Sequence, residues 1–522
     1  MSVARPASRV ARDSLIVMLL ILISRLLGFV RLRATADVFG MSWQTDAFRA
    51  AFNVPDLMFF LLVAGGLNAA FIPVFTEYLA KGEEDEAWRV AASFFNLALL
   101  VLLAATLLGA LFTPFLAPLV AYRFTGDARE LLVLLMRVMF PAVMLTAVAG
   151  LAMGVHRSYH RFYTAMLGPS VYNLGIIGGA YLLGPRIGIV GMAIGTVAGA
   201  LANAAMQLPF VIKTARHYRF AIDWRHPGLR RIFALMAPAL VSLSIFQINI
   251  IISTNLASGL NPGDITALTN ADRVMQFPLG VFAMGISLVI FPLMSKQLAR
   301  GERGAFLATF SRGLRTVLFV TLPAAAGLIA LRVPLIRLLF ETGHFTSRDT
   351  EATAYALTFF AIGLCAQSAT QIITQAYYSL HDTRTPMWVG ALTLLTNVLF
   401  SLALLRYTDL GQGGLALAFS LSSIVNTAAF LIVLKRRLNH IGGRQILRTL
   451  ALSALASIAV YFVAGAVAAV LAPHLNLAGN AGRLIQVLSA VAAGAGVYAL
   501  AAVALRMDEV GVVLQMLQRK RS

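Results

Sequence analysis

Apolar runs of about twenty residues recur along nearly the whole chain, the length a helix needs to cross a bilayer core. Hydropathy divides the sequence into fourteen of them, at roughly 14–39, 45–79, 88–118, 130–154, 161–183, 187–213, 230–258, 267–298, 305–330, 351–380, 386–406, 413–435, 447–471 and 483–506. Membrane-crossing strands would instead alternate over about ten residues. A soluble domain carries roughly 25% charged residues; this chain carries 12%, against 59% hydrophobic. The fold class expected is an all-α polytopic membrane protein with about fourteen transmembrane helices.

The basic residues sort by loop, and the sorting sets a topology. One alternate set of loops holds the N-terminus, Lys81 and Arg89, Arg157 and Arg161, the Lys213–Arg231 cluster, Lys296, Arg300 and Arg303, Arg384, Lys435–Arg437 with Arg444 and Arg448, and the tail Arg519–Arg521. The intervening loops carry little beyond Arg123, Arg186, Arg348 and Arg406. Because short cytoplasmic loops are the ones enriched in Lys and Arg, both termini are expected in the cytoplasm. The formal net charge of +20 therefore reads as topology, and no nucleic-acid partner is expected. Arg5, Arg9 and Arg12 precede the first apolar run as in a signal peptide, but Arg25 and Arg31 follow within it, so the first span is expected to stay. The single Cys365 excludes a disulfide framework. No metal site is expected either.

Sliding the chain by roughly 220 residues aligns Phe71-Ile72-Pro73 and Leu79-Ala80-Lys81-Gly82-Glu83 with Ile290-Phe291-Pro292 and Leu298-Ala299-Arg300-Gly301-Glu302. His160 and Asn173 echo His381 and Asn397. Two six-helix lobes in a pseudo-two-fold arrangement are expected, 1–220 (spans 1–6) and 221–440 (spans 7–12), followed by a helix pair and basic tail over 441–522. An even-numbered repeat relates the lobes by an axis along the membrane normal, a transporter layout with the site between them. Spans 2 and 8 are punctuated by Pro55, Gly65 and Gly66 and by Pro278 and Gly280, which are candidate hinges.

Ser24-Arg25-Leu26-Leu27-Gly28-Phe29-Val30-Arg31 places two guanidinium groups inside the first apolar run. An arginine near the bilayer centre costs about 2.5–3.5 kcal/mol on insertion scales, so it marks a pathway or binding site unless it snorkels. Asp46 with Arg49, and Asp272 with Arg273, add charge near the outer ends of spans 2 and 8. Together these form a net cationic pocket suited to a phosphate or diphosphate, whose oxygens accept paired guanidinium hydrogen bonds. On a straight helix Arg25 and Arg31 point about 120° apart, so Gly28 is a further candidate hinge. No catalytic cluster, zincin spacing or Walker A loop is present, so no enzymatic chemistry and no cofactor are expected. Gln247, Asn249, Asn397, Ser422 and Asn426 are polar but neutral, and read as interhelical hydrogen-bonding groups. The turns at Gly343-His344-Phe345-Thr346 and Asp382-Thr383-Arg384-Thr385-Pro386 read as helix starts.

Those stretches, with Thr45-Asp46-Ala47-Phe48, Phe71-Ile72-Pro73 and Ala271-Asp272-Arg273-Val274-Met275-Gln276-Phe277-Pro278, resemble the MurJ (MviN) lipid II flippases of bacterial peptidoglycan synthesis, in the multidrug/oligosaccharidyl-lipid/polysaccharide exporter superfamily. The resemblance implies fourteen spans in the inner membrane and a C-terminal pair whose groove receives the polyprenyl tail. It implies alternating access that carries lipid II, the undecaprenyl-diphosphate-linked disaccharide-pentapeptide, from the cytoplasmic to the outer face, with cell-wall synthesis enzymes and membrane lipids as partners. By position, Arg25, Arg31 and Arg273 would contact the diphosphate and Asp46 would support them. The membrane potential or a coupling monovalent cation would bias the states. The chain departs from the pattern at Phe59-Phe60, where many relatives are basic, and at Ala64-Gly65, where many carry Ala-Glu-Gly. Alternatives are a flippase for another polyprenyl-diphosphate glycan, a drug/cation antiporter, which needs an essential intramembrane carboxylate that is not expected from this sequence, and a cell-wall scaffold that moves nothing.

Overall fold

The computed structural model describes residues 7–60, 70–215, 218, 220 and 222–511, all of them helix or connecting turns with no strand. By packing the chain forms two units, Met1–Ile265 with Thr342–Phe345, and Thr266–Glu341 with Thr346–Ser522.

The first unit contains α1 (Ala7–Phe39), α2 (Trp43–Phe59), α3 (Ile72–Ala80), α4 (Glu84–Leu111), α5 (Thr113–Val120), α6 (Gly126–Ser158), α7 (Phe162–Gly178), α8 (Gly184–Ile187), α9 (Val190–Thr214) and α10 (Pro227–Ala257). The second runs through α11 (Asp264–Pro278), α12 (Met284–Ala299), α13 (Arg303–Ala330), α14 (Arg332–Phe340), α15 (Ser347–Ser379), α16 (Arg384–Tyr407), α17 (Gln412–Leu438), α18 (Gly443–Leu471) and α19 (Asn480–Ala504). Among the described residues, 11 helical segments are long and apolar enough to cross a membrane. The other expected spans fall on α1, on α2 and α3 either side of residues 61–69, and on α10. The hinge candidates Gly65 and Gly66 lie outside the described residues.

Short polar devices fix where helices begin. Ser42 and Thr45 form a reciprocal capping box at the start of α2, with the Ser42 N–H donating to Thr45 Oγ1 at 2.8 Å. Thr346 and Asp349 do the same for α15, at 2.8 Å. Gly343 has φ +52°, and a Cβ there would sit 2.2 Å from the Asp37 carbonyl oxygen, so only glycine lets the 342–345 turn close on α1. The His344 N–H donates to that oxygen at 3.0 Å, and Thr342 Oγ1 donates to Asp37 Oδ1 at 2.9 Å.

Helix α7 and the π-helical turn Gly179–Leu183 that continues it pack backbone to backbone on α9, Gly175 and Gly179 facing Gly191, Gly195 and Gly199. A Cβ built on Gly195 would lie 2.6 Å from the Gly175 carbonyl oxygen and 2.7 Å from the Gly179 Cα. This is the small-residue contact by which membrane helices gain dispersion energy in close approach. The expected result for Gly195→Leu is a loss of about 1–3 kcal/mol or more from overpacking, read as a lower melting temperature of the detergent-solubilised protein. Gly285→Leu, where nothing lies within 4 Å of the Cβ position, is the matched control.

The repeat groups span 7 with the second half, whereas packing groups α10 with the first. Asn255 Nδ2 donates to the Pro118 and Leu119 carbonyls at 2.9 and 3.0 Å. At its other end Arg231 pairs with Glu77 at 2.6 Å, and His226, which caps α10, meets Glu86 at 2.7 Å. These side-chain ties override the kinship written in the repeat.

In the second unit α17 donates repeatedly to α15 carbonyls: Gln412 to Ala352 at 3.1 Å, Ser420 to Phe359 at 2.6 Å, Thr427 to Ala366 at 2.8 Å. Asn397 donates to Ser422 at 3.4 Å, the interhelical role expected of it. The C-terminal pair is integral to this unit. Tyr498 donates to the Phe319 carbonyl at 2.6 Å, and the Arg483 guanidinium donates to the Glu341 carbonyl at 2.6 Å and pairs with its carboxylate at 3.3 Å.

In the turn before α16, burial alone would raise the Asp382 pKa. The Thr385 hydroxyl at 2.6 Å, the Thr385 and Arg384 N–H groups at 3.0 Å and Arg437 at 2.5 Å outweigh it and hold the carboxyl below its ordinary 3.8. A depressed folded pKa stabilises above the unfolded value and is lost as pH falls through the folded one. Asp382→Asn is therefore expected to lower stability by about 1–3 kcal/mol near neutral pH. In melting curves taken stepwise to acid, the gap from wild type should close below about pH 4.

Candidate functional site

The first helix is apolar around most of its circumference, yet it carries Arg25, Arg31 and Arg33. It runs unbroken from Ala7 to Phe39, through Gly28, whose Cβ position has nothing within 4 Å. Along this helix Arg25 is exposed and Arg31 half-buried, the two directions that 3.6 residues per turn impose on positions six apart.

On α2, Asp46, Arg49, Asn53 and Asp56 recur at i, i+3, i+7 and i+10 and so fall within about 80° of one another. They make one polar stripe on an otherwise apolar helix. The capping box at Ser42 fixes where the helix starts and hence where the stripe points. Asp46 is 2% exposed and accepts the Gly263 N–H at 2.6 Å, tying α2 to the loop that leads into α11. Arg49 is half-buried, Asn53 and Pro55 buried, Asp56 half-buried. On the neighbouring α7, Tyr172 lies within electrostatic reach of both Asp56 and Arg31. Arg31 of α1, Asp56 of α2 and Tyr172 of α7 are all half-buried in the first unit.

In the second unit Asp272 is half-buried and accepts from Gln276 one turn on, while Arg273 beside it is exposed. The segment turns irregular where a hinge is expected. Pro278, buried, ends α11, and a π-helical turn, Leu279–Ala283, containing Gly280 links it to α12. The second span shows the same irregularity, with π-helical backbone at Phe60 and at Ala70–Phe71 on either side of residues 61–69. Single π turns inside helices recur at functional sites.

Arg25, Arg31, Asp46 and Arg49 thus lie in the first unit, Asp272 and Arg273 in the second. Asn53, Asp56 and Tyr172 were missed from sequence. For Asp56 the signal was available: it is an ionisable residue well inside an apolar run, which marks a functional site by default. Tyr172 carried no signal, because only the fold brings it to Arg31. Among the described residues no group of three His, Cys, Asp or Glu side chains is placed to hold a metal. His156 lies in the last turn of α6, and its Nε2 meets the Gln207 carbonyl at 3.0 Å.

Eleven helical segments long and apolar enough to cross a membrane among the described residues, with ionisable residues on apolar helices, place the chain among polytopic α-helical membrane proteins. The same fold occurs in a multidrug-resistance MATE transporter of the MOP superfamily, in its inward-facing conformation, at a TM-score of 0.69 and 15% identity over 81% of this chain and 98% of that one. The family model for the lipid II flippase MurJ matches residues 35–482, and the chain belongs to that family. It is similar to a solved lipid II flippase MurJ in an inward closed conformation, at a TM-score of 0.77 and 25% identity over 94% of this chain and 99% of that one. It is 31% identical to the probable lipid II flippase MurJ of Vibrio cholerae serotype O1, over 81% of this chain and 82% of that protein. Its identity to the lipid II flippase MurJ of Burkholderia cenocepacia is 28%, over 80% and 82%.

Proposed function

We propose that this protein carries lipid II from the cytoplasmic to the outer face of the bacterial inner membrane by alternating access, making and breaking no covalent bond. The observation that carries the reading is the placement of Arg25 and Arg31 within an apolar membrane helix of a MurJ-family chain. Guanidinium groups there recover their desolvation cost when an anionic ligand accepts their hydrogen bonds. Arg25, Arg31, Arg49 and Arg273 supply the positive charge that grips the diphosphate, and Asp272 holds Arg273. Asp46 supports the site by fixing α2. Asp56 and Tyr172 orient Arg31. Both termini face the cytoplasm, as the loop charges require, and Pro55, Pro278 and Gly280 are where the interrupted spans flex. Cell-wall synthesis enzymes receive the product at the outer face. The membrane potential or a monovalent cation biases the inward and outward states.

The test is rescue. A bacterial strain depleted of its own flippase is supplied with this chain, and outer-face lipid II is measured by an impermeant chemical label. Restored growth and labelling are expected, and growth without labelling would contradict transport. A drug/cation antiporter remains the second reading because Asp56 is the intramembrane carboxylate such a carrier needs. Asp56→Asn separates them. A lipid II carrier should retain rescue within about tenfold, since an amide still orients Arg31, whereas proton-coupled drug efflux should vanish.

A further inference from the structure

Beyond the transport pathway, the first unit builds a cavity of about 420 Å³ at the rim of the membrane, in the turn between α5 and α6. Its lining includes two guanidinium-bearing residues, Arg123 and Arg129, together with Tyr122, Phe124 and Thr125. Asp127 and Glu130 lie in the same stretch of chain but do not line it. Among the described residues neither arginine forms an ion pair, and both are exposed, so their guanidinium groups are open to an incoming anion.

The arginines are held in place. The Arg123 N–H donates to Ser258 Oγ at 3.3 Å, and its Cγ lies 3.1 Å from where a Cβ on Gly259 would be, so its stem rests on the end of α10. Arg129 Nη2 reaches the Pro114 carbonyl at 3.5 Å. The apolar surround says what kind of molecule brings the matching negative charge. Phe115 is 75% exposed, Leu119 62% and Tyr122 68%, on and just after the short helix α5 that follows the membrane span α4. An aromatic and aliphatic surface next to arginines, directly beyond a span, is the arrangement that meets acyl chains on one side and headgroups on the other.

We propose that this cavity binds the phosphate headgroup of an anionic phospholipid, with Arg123 and Arg129 on the phosphate and Phe115, Leu119 and Tyr122 against its chains. The site is distinct from the diphosphate site of the transport cycle and does not depend on it. Its role is to seat the first unit in an anionic leaflet.

The test uses the full-length protein in phosphatidylcholine nanodiscs doped with phosphatidylglycerol, with co-purifying lipid counted by native mass spectrometry. Selective retention of phosphatidylglycerol is expected. The double variant Arg123→Gln/Arg129→Gln should weaken it by about 30-fold, the factor two arginines contribute at an anionic surface. Arg123→Lys/Arg129→Lys should keep most of it, and Arg186→Gln, outside the cavity, should change nothing. Unchanged melting temperatures establish that the variants fold. Equal retention of both lipids, undiminished retention by the Gln pair, or displacement of the lipid by inorganic phosphate alone at equal affinity would overturn the proposal.

Discussion

Arg31→Ala is expected to abolish rescue of a flippase-depleted strain while leaving the protein folded in the membrane, and Arg25→Ala is expected to do the same. Each removes a charge-assisted contact to a phosphate, about 1.5–3 kcal/mol per hydrogen bond, so affinity for a diphosphate-linked lipid should fall by roughly 10- to 150-fold. The two differ in structural consequence. Arg25 is exposed, so its loss should leave the melting temperature unchanged. Arg31 is half-buried. Removing it deletes a partly packed side chain, and a modest fall in stability should accompany the loss of function. Arg→Lys at either position keeps the charge but loses the planar fork, and should give partial rescue. Rescue by Arg31→Ala at wild-type level would remove that residue from the site.

The largest effect on stability is expected at Arg483→Ala. This side chain is 8% exposed, donates to the Leu477 and Glu341 carbonyls at 2.6 Å and to that of Arg337 at 3.2 Å, and pairs with the Glu341 carboxylate at 3.3 Å. Arg337 approaches the same carboxylate at 3.4 Å. Removing one partner of a buried pair costs about 3–5 kcal/mol, because the remaining charge and carbonyls are left in a low-dielectric setting. The C-terminal pair α18 and α19 should loosen first, read as a lower melting temperature and new protease cuts near 472–482. The double variant Arg483→Leu/Glu341→Leu should recover part of the loss, since it leaves no orphaned charge. A melting temperature equal to wild type in Arg483→Ala would mean that the pair is held by apolar packing alone.

The spans were legible because a bilayer imposes a single length on every helix. The helix start at Thr346 was legible because capping is local; the cap at Ser42 rests on the same kind of local pairing with Thr45. Partners supplied by a distant stretch of chain were not. Asp46 sits in a recognisable motif, yet its bond to the Gly263 backbone crosses more than two hundred residues. Gly175, Gly179, Gly191, Gly195 and Gly199 look like ordinary small residues until α7 and α9 are laid together. Arg483 reads as one more interfacial arginine until Glu341 is seen beside it. Pro278 and Gly280 stood out as punctuation of an apolar run, and a π-helical turn lies there, whereas the repeat rested on short matching stretches. It said nothing of where α10 packs, which three polar side chains decide.

The central claim is that fixed positive charge within the apolar helices exists to hold a diphosphate. It is tested most directly by the affinity of the purified full-length protein for lipid II, compared between wild type and Arg25→Ala/Arg31→Ala at rising salt. Tight binding by wild type, lost by two orders of magnitude or so in the double variant while it stays folded, with no more than the modest drop in melting temperature expected of Arg31→Ala, is the predicted result. Equal affinity in the two proteins would contradict it.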